Sequence, residues 1–133
     1  MKLFFTLSYA LLALAVLVTG STNPRSMNRM KAAQFHRTLT SAVQQGQHAT
    51  VNSLVAPRLA YITCIGERRN RIEFKQRSDF LRDIMSWGTG RIVSVEPPFR
   101  GIVFFEVNIN GRVFQYAVSK SNMQLHSVRE RGC

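Results

Sequence analysis

The sequence predicts an α+β fold, with helices packed on an antiparallel sheet behind a cleavable leader. Three observations carry this. Apolar residues recur at helical three- and four-residue steps in the first third of the chain and again around Phe80. Alternating runs of β-formers fill the last third. Asn110-Gly111 stands between two of those runs, where a hairpin turn is expected because both residues accept positive φ.

The leader comes first. Lys2 places a positive charge at the start, and Leu3 to Val18 is apolar apart from Thr6, Ser8 and Tyr9. Small residues Thr19, Gly20, Ser21 and Thr22 follow, as at a signal-peptidase site. The apolar run is shorter than the roughly 20 residues that span a bilayer. The expected division is a signal peptide over 1–21 and an α+β domain over 22–133. No stable membrane anchor remains after cleavage, and the product is expected to be extracellular. The remaining length, about 110 residues, suits one domain.

Asn23-Pro24-Arg25 reads as a linker, with Ser26 as a helix N-cap. Ala32, Phe35, Leu39, Ala42 and Val43 then form one apolar stripe, and Gly46 stops the helix. A short second helix is expected over His48 to Val55, ended by Pro57. Leu59 to Ile65 reads as a strand, broken at Gly66. Ile72-Glu73-Phe74 is open to two readings, a brief strand or the start of the next helix. That helix is placed at Ser78, with Asp79 in its first turn and Phe80, Leu81, Ile84 and Met85 on one face. Strands follow at Arg91–Glu96, stopped by Pro97-Pro98, then at Gly101–Ile109, Arg112–Ser119 and Met123–Arg129, joined as an antiparallel meander. Helices segregated from such a sheet define the α+β class.

The two cysteines, Cys64 and Cys133, most simply pair in an oxidising compartment. Closing a loop of about 70 residues would add roughly 4 kcal/mol. The alternative is a buried free Cys64 beside a reactive Cys133.

The order of elements resembles the nuclear transport factor 2-like superfamily, in particular its small secreted members. The matching pieces are Phe35 to Val43, Tyr61-Ile-Thr-Cys64-Ile-Gly66, Ser78-Asp-Phe80-Leu81, the Asn110-Gly111 hairpin and the terminal Gly132-Cys133. The resemblance implies a cone-like curved sheet with an open mouth and an apolar interior. Its members include enzymes, small-ligand binders and partner binders, so fold does not settle function.

Two binding surfaces follow from the residues. Tyr61, Trp87, Phe104, Phe114 and Tyr116, with Phe80 and Ile84, could line a cavity for a small apolar ligand, or simply fill the core. Lys and Arg total 18 against 7 Asp and Glu, a net charge of +11. The basic residues crowd at Arg68, Arg69, Arg71, Lys75 and Arg77, a candidate anion site or a solvated loop. An extracellular polyanion is the expected charged partner; secretion argues against nucleic acid.

An isomerase- or dehydratase-type pocket enzyme would use Tyr61 or Tyr116 with His126. Asp79 reads as a helix-dipole partner and Asp83 as a surface charge. His36, His48 and His126 are scattered, so no metal or cofactor is expected. The leading expectation is a secreted, non-enzymatic binding module. The alternatives are the pocket enzyme and a cationic defence protein acting on anionic membranes.

Overall fold

The computed structural model describes residues 24–97 and 99–133. The expected leader and the domain boundary after it lie outside the described residues, as does Pro98.

Helix α1 spans Pro24–Gln44, so it begins before Ser26. Proline is well suited to a first helical turn, where its missing N–H is not needed. The stripe of Ala32, Phe35, Leu39 and Ala42 is buried, as its spacing predicts. Gly46, at φ +66°, closes the helix. Its N–H bonds Val43 O at 3.1 Å, and the Gln47 N–H bonds Ala42 O at 2.9 Å, the paired bonds of a Schellman motif.

Helix α2, His48–Leu54, gives way directly to strand β1, Val55–Ile65. The strand therefore starts four residues earlier than expected and runs through Pro57. Proline is tolerated there because the register of β1 against the last strand shifts between Val55 and Ala60, so no ladder bond is required of it.

The ambiguous segment is a strand, β2, Arg71–Lys75, paired antiparallel with β1. Helix α3 then covers Arg77–Trp87. Its N-cap is Gln76 rather than Ser78. The Asp79 carboxylate returns to the Gln76 N–H at 2.9 Å to form a capping box, which places Asp79 in the first turn as anticipated. The meander follows as β3 Arg91–Val95, β4 Ile102–Ile109, β5 Arg112–Ser119 and β6 Leu125–Glu130. The last strand opens two residues later than expected, because Met123 takes a positive φ of 52° in the turn.

The sheet order is β2-β1-β6-β5-β4-β3. It is mixed, not purely antiparallel, because β1 and β6 run parallel. The β1–β2 hairpin leaves one side of β1 open, and the meander delivers β6 to it in the same direction. No local turn encodes that pairing, which joins segments more than sixty residues apart.

Alternation along β4 is strict: Val103, Phe105, Val107 and Ile109 are buried, while the residues between them are half-exposed. The buried face meets Phe35 and Leu39 of α1 and Phe80 and Ile84 of α3 in one core. An aromatic series crosses it, with Tyr61–Phe80 centroids at 5.3 Å, Phe80–Tyr116 at 6.2 Å, Tyr116–Phe105 at 5.5 Å and Phe105–Phe35 at 6.3 Å. Edge-tilted contacts of this kind suit the ring quadrupole.

Cys64 and Cys133 form a disulfide, with Cα atoms 5.3 Å apart. No described helix is long and apolar enough to cross a membrane.

Candidate functional site

The aromatic candidates divide between the two faces of the sheet. Tyr61, Trp87, Phe114 and Tyr116 line one cavity between α3 and the sheet. Phe104 does not join them. It lies on the opposite face, with its ring 6.4 Å from that of Phe99. Strand alternation sends Phe105, one residue on, into the core.

The cavity is about 10 Å³. That is roughly the space of a single water, so these side chains fill the interior rather than leave an apolar ligand chamber. The Tyr116 hydroxyl is buried and has no hydrogen-bond partner among the described residues. Burial pushes its pKa well above the usual phenol value.

Asp83 is the residue that sequence reasoning misplaced. It is only 7% exposed, not a surface charge, and it accepts a 2.9 Å hydrogen bond from the Tyr61 hydroxyl. The cause is helical geometry. Asp83 stands three residues after Phe80 and so shares its inward face, where Tyr61 of β1 meets it. Desolvation first, then the Asp83 contact, raise the Tyr61 pKa far above that of a free phenol. Pairing inward-facing strand hydroxyls with acids at three-residue spacing from a core aromatic could have found this contact.

His126, the proposed partner of Tyr61 or Tyr116, is exposed. Its neighbour Leu125 takes the inward position, so His126 lies on the face away from both tyrosines.

The basic turn is also divided. Arg69 binds Glu130 with contacts of 2.7 and 3.0 Å, and it donates to Cys64 O at 3.3 Å. Arg77 donates to Asn52 O, Val55 O and Ala56 O at 2.8, 3.1 and 3.0 Å, binding the carbonyls at the end of α2. The Lys75 ammonium stands 5.9 Å from the Tyr61 ring centre. Arg68 and Arg71 are exposed and make no ion pair among the described residues.

Glu130 is the electrostatic hub at the end of this sheet. It is 4% exposed and is bound by Arg69, by Arg112, whose Nε lies at 2.9 Å, and by the Cys64 N–H at 3.0 Å. Burial alone would raise its pKa. The hydrogen bonds from Arg112, Cys64 and Arg69 overcome that and hold it at about 2. Arg112 in turn lies over Trp87 and Phe114, 4.9 and 5.3 Å from their ring centres. No group of His, Cys, Asp and Glu that could hold a metal occurs among the described residues.

No family model matches the chain, and no curated protein matches it. Solved structures similar to it include two proteins of low sequence identity. One is Bal32a from a soil-derived mobile gene cassette, with 14% identity, a TM-score of 0.47, and coverage of 82% of this chain and 91% of that one. The other is a protein of unknown function with a cystatin-like fold from Xanthomonas campestris, with 15% identity, a TM-score of 0.38, and coverage of 74% and 87%.

Proposed function

We propose that the chain is a secreted, non-enzymatic interaction module of nuclear transport factor 2-like build that meets an extracellular polyanion at its surface. The observation that carries this reading is how the charges are divided. Glu130, Glu106, Asp79 and Asp83 are occupied by Arg69, Arg112, Arg131 and Arg82. Arg29, Lys31, Arg37, Arg58, Arg100, Lys120 and Arg129 have no carboxylate partner among the described residues, and their field faces solvent. A filled interior favours the surface over the cone. The Cys64–Cys133 bridge suits the expected oxidising compartment.

The test is retention of the purified secreted product on a sulfated glycan matrix, against neutral dextran. Retention that weakens steeply with added salt is the expected result. Equal elution from both matrices at about 50 mM salt would overturn the reading. Salt-suppressed leakage of anionic vesicles without glycan retention would favour the membrane-active alternative.

A pocket enzyme has one observation in its favour, the buried Tyr61–Asp83 contact beside the unpartnered Tyr116 hydroxyl. Asp83 then replaces His126 as the acid–base group. Under that reading, turnover disappears in Asp83→Asn while the fold survives.

A further inference from the structure

Three of the unpaired cations, Arg58, Arg100 and Lys120, line neighbouring depressions. Two shallow depressions adjoin at one end of the exposed sheet face, and both are lined by His126. One adds Arg100, Lys120, Ser119 and Ser121, and the other adds Arg58. No carboxylate lines either depression.

The topology explains the clustering. The Lys120 N–H donates to Gly101 O at 2.9 Å, fixing the end of β5 beside Arg100 in the turn that leads into β4. On the other side, β6 carries His126 next to the irregular stretch of β1 between Val55 and Ala60, which presents Arg58. The Ser119 and Ser121 hydroxyls, 2.9 Å apart, offer hydrogen-bonding groups between the cations. Glu106, the acid on this face of β4, lies four residues along the strand from Ile102 and is held by Ser94 and Arg131. Glu96 is engaged by Gln115 at 2.6 Å.

We propose that this end of the sheet, from Arg58 through His126 to Lys120 and Arg100, is a binding track for a linear sulfated glycan. The track crosses four adjacent strands. At about 4.8 Å per strand it spans on the order of 14 Å, longer than one sulfate and suited to a chain bearing several. Its cations line depressions instead of crowning a protrusion. A chain can follow a depression, and a flat lipid surface cannot. Arginine and lysine supply the charge, and the Arg58 and Arg100 guanidinium groups can grip sulfate oxygens through paired N–H donors. The proposal rests on the polyanion reading and gives it an address that the basic turn does not share.

The experiment uses heparin-type oligosaccharide with the wild type, with the Arg58→Ala/Arg100→Ala/Lys120→Ala variant and with an Arg68→Ala/Arg71→Ala variant. All five residues are surface groups outside the core, so both variants keep the wild-type melting temperature. The track variant is expected to bind at least tenfold more weakly with a shallower salt dependence, and the turn variant within twofold of wild type. Amide shifts on titration should concentrate at Ser119–Ser121 and His126. Equal losses in both variants, or no loss in the track variant, would overturn the track and leave the polyanion module standing. No binding by the wild type would remove both. Tighter binding to phosphatidylserine vesicles than to the oligosaccharide, with the same residue dependence, would replace the glycan by a membrane and overturn the proposal.

Discussion

The Tyr61 hydroxyl donates to Asp83 Oδ2 at 2.9 Å, joining the middle of β1 to the inward face of α3 across twenty-two residues of sequence. Both groups are buried, so neither is satisfied by bulk water if the other is removed. A hydrogen bond to a charged acceptor contributes about 1.5–3 kcal/mol. Tyr61→Phe is therefore expected to lower unfolding free energy by roughly 2 kcal/mol in urea titration. A double-mutant cycle with Asp83→Asn should return a coupling of about 1 kcal/mol or more. A coupling indistinguishable from zero would show that the contact is incidental to packing.

Alkaline behaviour follows from the same two elements. Tyr61 and Tyr116 both have pKa values raised far above that of a free phenol, chiefly by burial. A raised folded-state value means that the stability is intact below the unfolded phenol pKa of about 10 and falls as pH climbs past it, because only the unfolded chain ionises readily. Folded protein lacking residues 1–21, and with them Tyr9, should show no phenolate absorbance until it unfolds, and denaturant midpoints should drop above about pH 10. A reversible phenolate signal at that pH in folded protein would place a tyrosine at the surface.

Gly90 tests the packing of β3 against β4. Its φ is +62°, and a Cβ built there would lie 2.0 Å from Asn108 O, which is backbone and cannot step aside. The positive φ alone costs an alanine about 1–3 kcal/mol, and the clash adds to it. Gly90→Ala should lower the melting temperature by on the order of 10 °C or prevent folding. Gly111→Ala, in the open Asn110-Gly111 hairpin turn, has nothing within 4 Å of the added atom and serves as the milder comparison. Equal stability of the two variants would contradict the close approach at Gly90.

Local signals made much of the fold legible. The stripe from Ala32 to Ala42, Gly46 and the Asn110-Gly111 hairpin are each encoded within a few residues, and each stands where the pattern puts it. The parallel β1–β6 pairing was not legible, because it is chosen by the whole sheet and no turn announces it. The start of α3 moved to Arg77 because the Asp79 carboxylate accepts from the Gln76 N–H, which sets the cap two residues before the serine that residue preferences favour. Phe104 and Phe105 stand on opposite sides by a one-residue register, which an apolar run of four cannot reveal. Asp83 was hidden for a different reason. An acid on an amphipathic helix is usually exposed, and here Tyr61 of β1, together with the neighbouring Arg82, makes burial tolerable.

Glu130 is expected to set the acid limit of the fold. Its ordinary pKa is near 4.5, and in the folded chain it is about 2: burial opposes the shift, and Arg112, the Cys64 N–H and Arg69 produce it. A depressed folded-state value contributes stability that is present above about pH 4.5 and is lost as pH falls toward 2. The linked free energy is about 3 kcal/mol at neutral pH. Glu130→Gln should flatten the acid arm of the stability curve between those pH values and lower stability at pH 7. The two arginines are not equivalent. The Arg69 side chain is 48% exposed and that of Arg112 is 29% exposed, so solvent screens the first contact more. Arg112→Ala is therefore expected to raise the Glu130 pKa, read from its carboxyl carbon shift, more than Arg69→Ala does, and to respond less to salt. Equal shifts from both variants would overturn the ranking of the two arginines, and an acid arm unchanged in Glu130→Gln would move the acid sensitivity to another carboxylate.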